Sequence, residues 1–122
     1  MITDAKNKVR ASLLSNTNLV SILGGQRVYQ LVAPKADEFP RITFFEVDNR
    51  DSDFADDVAY ASSVTMQIDI WSKGSTSAIA CQVDRTMKEQ DWGRTLSLDQ
   101  YEKDTQVYHK VLRYRTKMLE NE

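Results

Sequence analysis

Val64-Thr65-Met66-Gln67-Ile68-Asp69-Ile70-Trp71 is the stretch on which the fold turns. Val64, Met66, Ile68 and Ile70 alternate with Thr65, Gln67, Asp69 and Trp71, which is the two-residue period of a strand with one core face. The strand reading extends back to Val58. After it, Ser72 to Ser77 is a turn of small residues in which Ser75 or Ser77 is placed to cap a helix. In that helix Ile79, Val83 and Met87 recur four apart and Ala80 widens the stripe, with an end expected near Gln90, before Gly93. A one-faced strand leading into a one-faced helix calls for helices layered on a sheet.

Upstream, Ala5, Val9 and Leu13 form one apolar stripe of a helix that Thr3 is expected to cap, with Asp4 favourable to the dipole in its first turn. Asn16-Thr17-Asn18 interrupts that helix and caps a short second one, Leu19 to Leu23. Gly24-Gly25 stops it, because glycine enters the left-handed conformation without a Cβ clash. Val28 to Val32 reads as a strand, and Pro34 and Pro40 frame a loop. Arg41 to Asp48 is a strand apolar on both faces, Ile42 and Phe44 on one and Phe45 and Val47 on the other. Such a strand needs cover on both sides, from a helix and a loop or from a neighbouring subunit.

Asn49 to Asp57 is the most polar stretch and is expected to be a long mobile connection between strands. Downstream, Arg94 to Tyr101 is a weaker strand, Glu102 to Thr105 a polar turn and Val107 to Met118 a last long strand. Tyr108, Leu112, Tyr114 and Met118 occupy one side of it; His109, Val111, Arg113, Arg115 and Lys117 occupy the other. The expected fold class is α+β, a mainly antiparallel sheet of about four or five strands with helices on one face.

The 122 residues suit a single domain, and 41% hydrophobic with 28% charged residues is an ordinary globular composition. Sixteen Lys+Arg against 18 Asp+Glu give a net charge of -2, which argues against a dedicated nucleic-acid binder. One cysteine, Cys81, excludes an internal disulfide. The opening Met-Ile-Thr-Asp-Ala-Lys has no apolar signal region and no stretch has the length of a membrane span, so neither export nor a membrane is expected.

Chemistry-bearing patterns are sparse. His109 is the only histidine, with no acid or nucleophile at a defined spacing, so a surface or partner-facing role is expected over general-base work. Cys81, among Ala78, Ala80 and Val83, reads as a small buried hydrophobe. Lys73-Gly74-Ser75-Thr76 lacks the first glycine and the spacing of a phosphate-binding loop and reads as a capping turn. Glu46, Asp48, Asp51, Asp53, Asp56 and Asp57 make six acids against one base, Arg50, which invites a calcium-loop test. With Asn49, Asp51 and Asp53 as the first ligands, the required glycine is Phe54 and the required bidentate glutamate is Tyr60, so the pattern fails twice. Adventitious divalent binding, a solvated loop and an interaction loop anchored by Phe54 among the acids stay open. The stripe Arg113, Arg115 and Lys117 is either a solvated face or the partner of another copy's acidic segment 46–57. In the second case the interface comprises Asp51, Asp53, Phe54, Asp56, Asp57, Arg113, Arg115 and Lys117. Two complementary surfaces on one chain are what a heterologous, ring-closing contact requires.

Tyr29-Gln30-Leu31-Val32-Ala33-Pro34 followed by Phe39-Pro40-Arg41-Ile42-Thr43-Phe44 resembles the opening of the bacteriophage tail completion family, the tail terminator or tail-to-head joining proteins of long-tailed phages and prophages. Gln67-Ile68-Asp69-Ile70-Trp71-Ser72, with the turn and helix after it, resembles that family's central strand and helix. The resemblance spans almost the whole chain and implies one tail-completion-like domain, residues 1–122. It implies a structural protein, not an enzyme, with no catalytic residue, cofactor or metal. It further implies a ring, a hexamer on the tail, that caps the tail tube and meets the head connector. The implied partners are further copies of itself, the tail tube protein and the connector or neck protein, with no nucleic-acid specificity and no membrane. The implied location is the bacterial host cytoplasm during assembly and the virion tail or neck. The alternatives are a small ligand-binding or hydrolytic α+β domain using His109 and the acidic segment, or another neck or minor tail component. Glu120-Asn121-Glu122 matches no motif.

Overall fold

A computed structural model describes residues 1–120. Its elements run α1 (Ala5–Ser15), α2 (Thr17–Leu23), β1 (Val28–Gln30), β2 (Arg41–Ala55), β3 (Val58–Ser72), α3 (Ser77–Glu89), β4 (Gly93–Glu102) and β5 (Val107–Leu119). The strands form one sheet in the order β1-β2-β3-β5-β4. The short β1 pairs parallel to β2, and every other pairing is antiparallel. This is the α+β architecture expected from the periodicities, with β3 at the centre.

Ile42 and Phe44 of β2, Val64, Met66, Ile68 and Ile70 of β3, and Leu112 and Tyr114 of β5 share one face, and all are buried. They meet Val9 and Leu13 of α1, Leu19 and Leu23 of α2, and Ile79, Val83 and Met87 of α3 in one core. Each such side chain contributes about 1.5–3 kcal/mol on burial, so the interdigitated stripes carry the fold.

Local signals fix the helix ends. Asn16 closes α1, and its Oδ1 accepts from the Leu19 N–H at 3.0 Å, capping α2. Its Nδ2 donates to Thr86 Oγ1 at 3.0 Å and Gln82 Oε1 at 3.1 Å, so the same residue ties α2 to α3. Gly24, at φ 82, ends α2 in the left-handed conformation. Asp4, not Thr3, is the N-cap of α1, and Thr76, not Ser75 or Ser77, is that of α3; neither side chain caps. Ser75 Oγ instead accepts from the Ser77 N–H at 3.2 Å. Strand β1 stops at Gln30, short of the expected Val32, because Leu31 turns into left-handed backbone at φ 64.

Two other expectations are corrected. Cys81 is exposed, not buried, because Ile79, Val83 and Met87 define the inward stripe of α3 and leave Cys81 off it. Asn49 to Asp57 is not a mobile connection: β2 continues to Ala55 and pairs with β3 through Asn49↔Val64, Arg50↔Ser63, Asp51↔Ser62 and Ser52↔Ala61. The reversal is confined to Asp56 and Asp57, at φ 52 and 63, the two-residue type I′ geometry that suits a twisted hairpin. Asp56→Asn with Asp57→Gly is therefore expected to raise stability by about 0.5–1 kcal/mol. A chemical melt reads this directly, and an unchanged midpoint would contradict an ordered turn.

Beneath β4 and β5, Asp84 of α3 accepts from the Tyr114 hydroxyl at 2.9 Å and pairs with Lys88 at 2.9 Å and Arg94 at 3.1 Å. Burial alone would raise its carboxyl, but hydrogen bonds from Lys88 and Tyr114 and the Arg94 charge outweigh burial and hold it below the ordinary 3.8. A folded-state value below the unfolded one stabilises at higher pH, and this contribution is lost as pH falls through the folded-state value. Asp84→Asn should cost about 1–2 kcal/mol at neutral pH, with a gap to wild type that narrows below about pH 4. A gap constant from pH 7 to 2.5 in thermal melts would contradict the assignment.

Candidate assembly surfaces

The β2–β3 hairpin outruns the rest of the sheet. Its last register pair with β5 is Ala61↔Leu119, and the pairs Phe54↔Ala59 and Ala55↔Val58 have no third strand beside them. Its base is braced: Asn49 Nδ2 donates to the Ile2 carbonyl at 2.7 Å, the Glu120 N–H donates to the Tyr60 carbonyl at 2.9 Å, and the Ser62 hydroxyl donates to the Glu120 carboxylate. The end of the arm is apolar and wet, with Phe54 61%, Val58 68% and Tyr60 46% exposed. Phe54 shares a face of the hairpin with Ala59, and Val58 and Tyr60 alternate to the other, so the arm offers apolar surface on both sides. Asp56 and Asp57 form the tip, and Asp51 is exposed along the arm.

The structure brings some of the expected interface residues together within one chain. Lys117 Nζ lies 3.0 Å from Asp53, which sits at φ 52. An exposed pair of this kind contributes about 0–1 kcal/mol, enough to bias the angle of the arm and little more. Arg113 Nη2 donates to Gln67 Oε1 at 2.6 Å, while its Nε is buried without a partner. Arg115 is exposed and has no ion pair among the described residues. Arg113, Arg115 and Lys117 do share the face away from the helices, opposite Gln67, Thr65 and Ser63. Of the charged end Glu120-Asn121-Glu122, Glu120 pairs with the Met1 amino group at 2.8 Å, and Asn121 and Glu122 lie outside the described residues.

The helix-free face also holds an acid that sequence spacing did not reveal beside His109. Asp69 Oδ1 is 2.7 Å from His109 Nε2 and accepts from Gln67 Nε2 at 3.0 Å. Trp71 stacks on the imidazole at 3.7 Å between centroids and 12° between planes, and its indole N–H donates to Thr43 at 2.9 Å. Asp69 and Trp71 alternate onto this face, so their meeting with His109 follows from the register Trp71↔His109, which no sequence spacing supplies. Thr43 and Asp69 of this network are buried, as is Thr65 beside them.

At the opposite end of the sheet from the hairpin tip, a cleft of about 460 Å³ is lined by Phe39, Arg41, Trp71, Lys73, Glu102 and Val107, among others. Arg41 Cζ lies 4.5 Å from the Phe39 ring centroid and 5.7 Å from that of Trp71, and Lys73 Nζ lies 5.1 Å from Phe39. Such cation–π contacts hold both charges over apolar surface. The turn after β3 is not a phosphate cradle, since Gly74 N–H is taken by Ser72 Oγ at 3.1 Å and Lys73 Nζ by the Thr105 carbonyl at 2.5 Å. Among the described residues, no group of three or more His, Cys, Asp or Glu side chains could hold a metal ion. No described helix is long and apolar enough to cross a membrane.

Residues 7–119 match the family model described as tail completion protein gp17. A chain from the virion of a native gene transfer agent (GTA) particle has a similar structure, with a TM-score of 0.65, 12% identity and 91% of each chain covered. At that identity the likeness is one of fold. No curated protein sequence matches the chain.

Proposed function

The chain belongs to the tail completion protein gp17 family, a family of structural phage proteins, and from that membership we propose that it closes the end of a tail tube as a ring of copies and joins it to the head connector. A structural role in tail assembly follows from the family, and the match over residues 7–119 carries it. The proposal adds the mode of action: non-covalent ring formation, a hexamer on the tail, with tail tube protein on one side and connector or neck protein on the other. Assembly takes place in the host cytoplasm, and the protein remains in the tail or neck of the virion.

The shape of the subunit supports this reading. A one-faced sheet leaves a broad polar face, a basic row and a projecting arm available to neighbours. We place Asp51, Asp53, Phe54, Asp56, Asp57, Arg113, Arg115 and Lys117 at the interfaces of the ring. Within that set Phe54 anchors, while the rim charges steer encounter and set register. The Lys117–Asp53 pair inside one chain leaves Arg115, Asp51 and the tip acids as charges without an ion pair among the described residues. Because exposed pairs are weak and screened by salt, the free protein is expected to be monomeric or loosely associated and the ring to form on the tail. Electron microscopy of tails carrying the bound chain should show a ring of several copies at one end of the tube. A single copy per tail, or decoration along its length, would contradict the ring.

The His109–Asp69 pair is the observation that favours a second, hydrolytic reading. His109 and Asp69 are not among the residues lining the cleft that Trp71 borders, and we take the pair as structural. His109→Ala is expected to lower the melting temperature by a few degrees, through the lost hydrogen bond and stacking, and to leave tail joining intact. Loss of joining by a normally folded and normally assembled His109→Ala variant would favour the catalytic reading.

A further inference from the structure

Building on the ring reading, we propose that the hairpin tip of one copy seats in the cleft at the far end of the sheet of the next copy. Phe54 enters against Phe39 and Trp71, and Asp56 and Asp57 face Arg41 and Lys73. The two surfaces are separated by the whole length of β2, fifteen residues, or roughly 45 Å of strand, so they cannot meet within one chain. A contact between opposite ends of the same subunit is heterologous, and repetition of it runs head to tail into a ring if the rotation closes.

The chemistry of the two ends is complementary. From Asp51 to Ser72 the chain carries no lysine or arginine, so the arm beyond Arg50 offers acids, apolar side chains and hydroxyls but no cation. The cleft presents two cations held over an aromatic ring. Arg41 is only partly satisfied: its Nη1 donates to the carbonyls of Ala36 and Glu38, and its Nε has no partner. Of the acids at the cleft, Glu102 is engaged by the Thr105 hydroxyl at 2.9 Å, and Asp37 is exposed at its edge. An aromatic side chain flanked by carboxylates fits a cleft that has aromatic walls and cationic edges. On β5, Lys117 already bridges a carboxylate, Asp53, whereas Lys73 and Arg41 meet only neutral carbonyls of their own chain.

Cross-linking tests the contact. In a Cys81→Ser background, Asp57→Cys places a thiol at the tip and Thr105→Cys places one at the cleft, both on exposed turns. Oxidation of the double variant bound to tails should give a ladder of covalent multimers at least ten times stronger than either single-cysteine control. Phe54→Asp or Lys73→Glu, added to the double variant, should remove the ladder. Rings seen on tails without the ladder would overturn the tip-in-cleft contact and leave the ring reading standing. If no multimer forms on tails by any measure, the ring reading falls and this contact with it. Circular dichroism identifies any variant that has failed to fold, and for such a variant Thr105→Cys is replaced by Glu102→Cys, with the same expected and overturning outcomes.

Discussion

Ile68→Asp is expected to leave no folded subunit. Ile68 is fully buried at the middle of the central strand, between Phe44 of β2 and Leu112 of β5, in the core that the helices close. The substitution removes a side chain worth about 1.5–3 kcal/mol on burial and places a carboxylate where no cation or donor stands. Burying a polar group without a partner costs several kcal/mol more, so the total reaches about 5 kcal/mol or above. Domains of this size have about 5–15 kcal/mol of stability, so the variant should be unfolded, or recovered only in aggregates. Ile68→Val, which keeps the shape and deletes one methylene, should cost only about 0.5–1.5 kcal/mol. A soluble Ile68→Asp protein melting within a degree or two of wild type would show that this face of β3 does not line the core.

Phe54→Asp is expected to do the reverse, sparing the fold and abolishing tail completion. Phe54 is 61% exposed near the end of the arm, so its loss changes folding free energy by about 0.5 kcal/mol or less. At an interface an aromatic anchor carries about 2 kcal/mol or more, and a ring repeats the loss at every contact. Joined particles should fall by at least a hundredfold in complementation, while the melting temperature stays within a degree or two of wild type. Normal yields of joined particles from this variant would remove the arm from the assembly surface.

The parts legible in the sequence are those in which one local pattern decides the structure. The alternation over Val64–Trp71, the stripe Ile79, Val83, Met87 and the break at Asn16 translate directly into β3, α3 and the α1–α2 junction, because burial of one face enforces each period. The far half of β2 is different. Asn49, Arg50, Asp51 and Ser52 have poor strand propensity, and pairing with β3 holds them extended. Their turn is Asp-Asp, not Asn-Gly, so the usual hairpin signal is missing although the backbone adopts the same geometry. The residues proposed for the interface were legible as a set of charges around Phe54. Their arrangement was not, because Lys117 meets Asp53 across 64 positions of sequence and Asp69 meets His109 across 40. Contacts of that kind follow from strand register, which a single sequence leaves unspecified here, since the strands concerned are joined through α3 and β4 rather than by a tight turn.

An adaptor differs from an enzyme in its stoichiometry. Tails made without this protein can be mixed with filled heads and titrated with the purified chain. Joining should rise with added chain, saturate at several copies per tail, and leave those copies in the purified particles. Complete joining at far less than one copy per tail, with no chain retained in the particle, would contradict a structural role in tail completion.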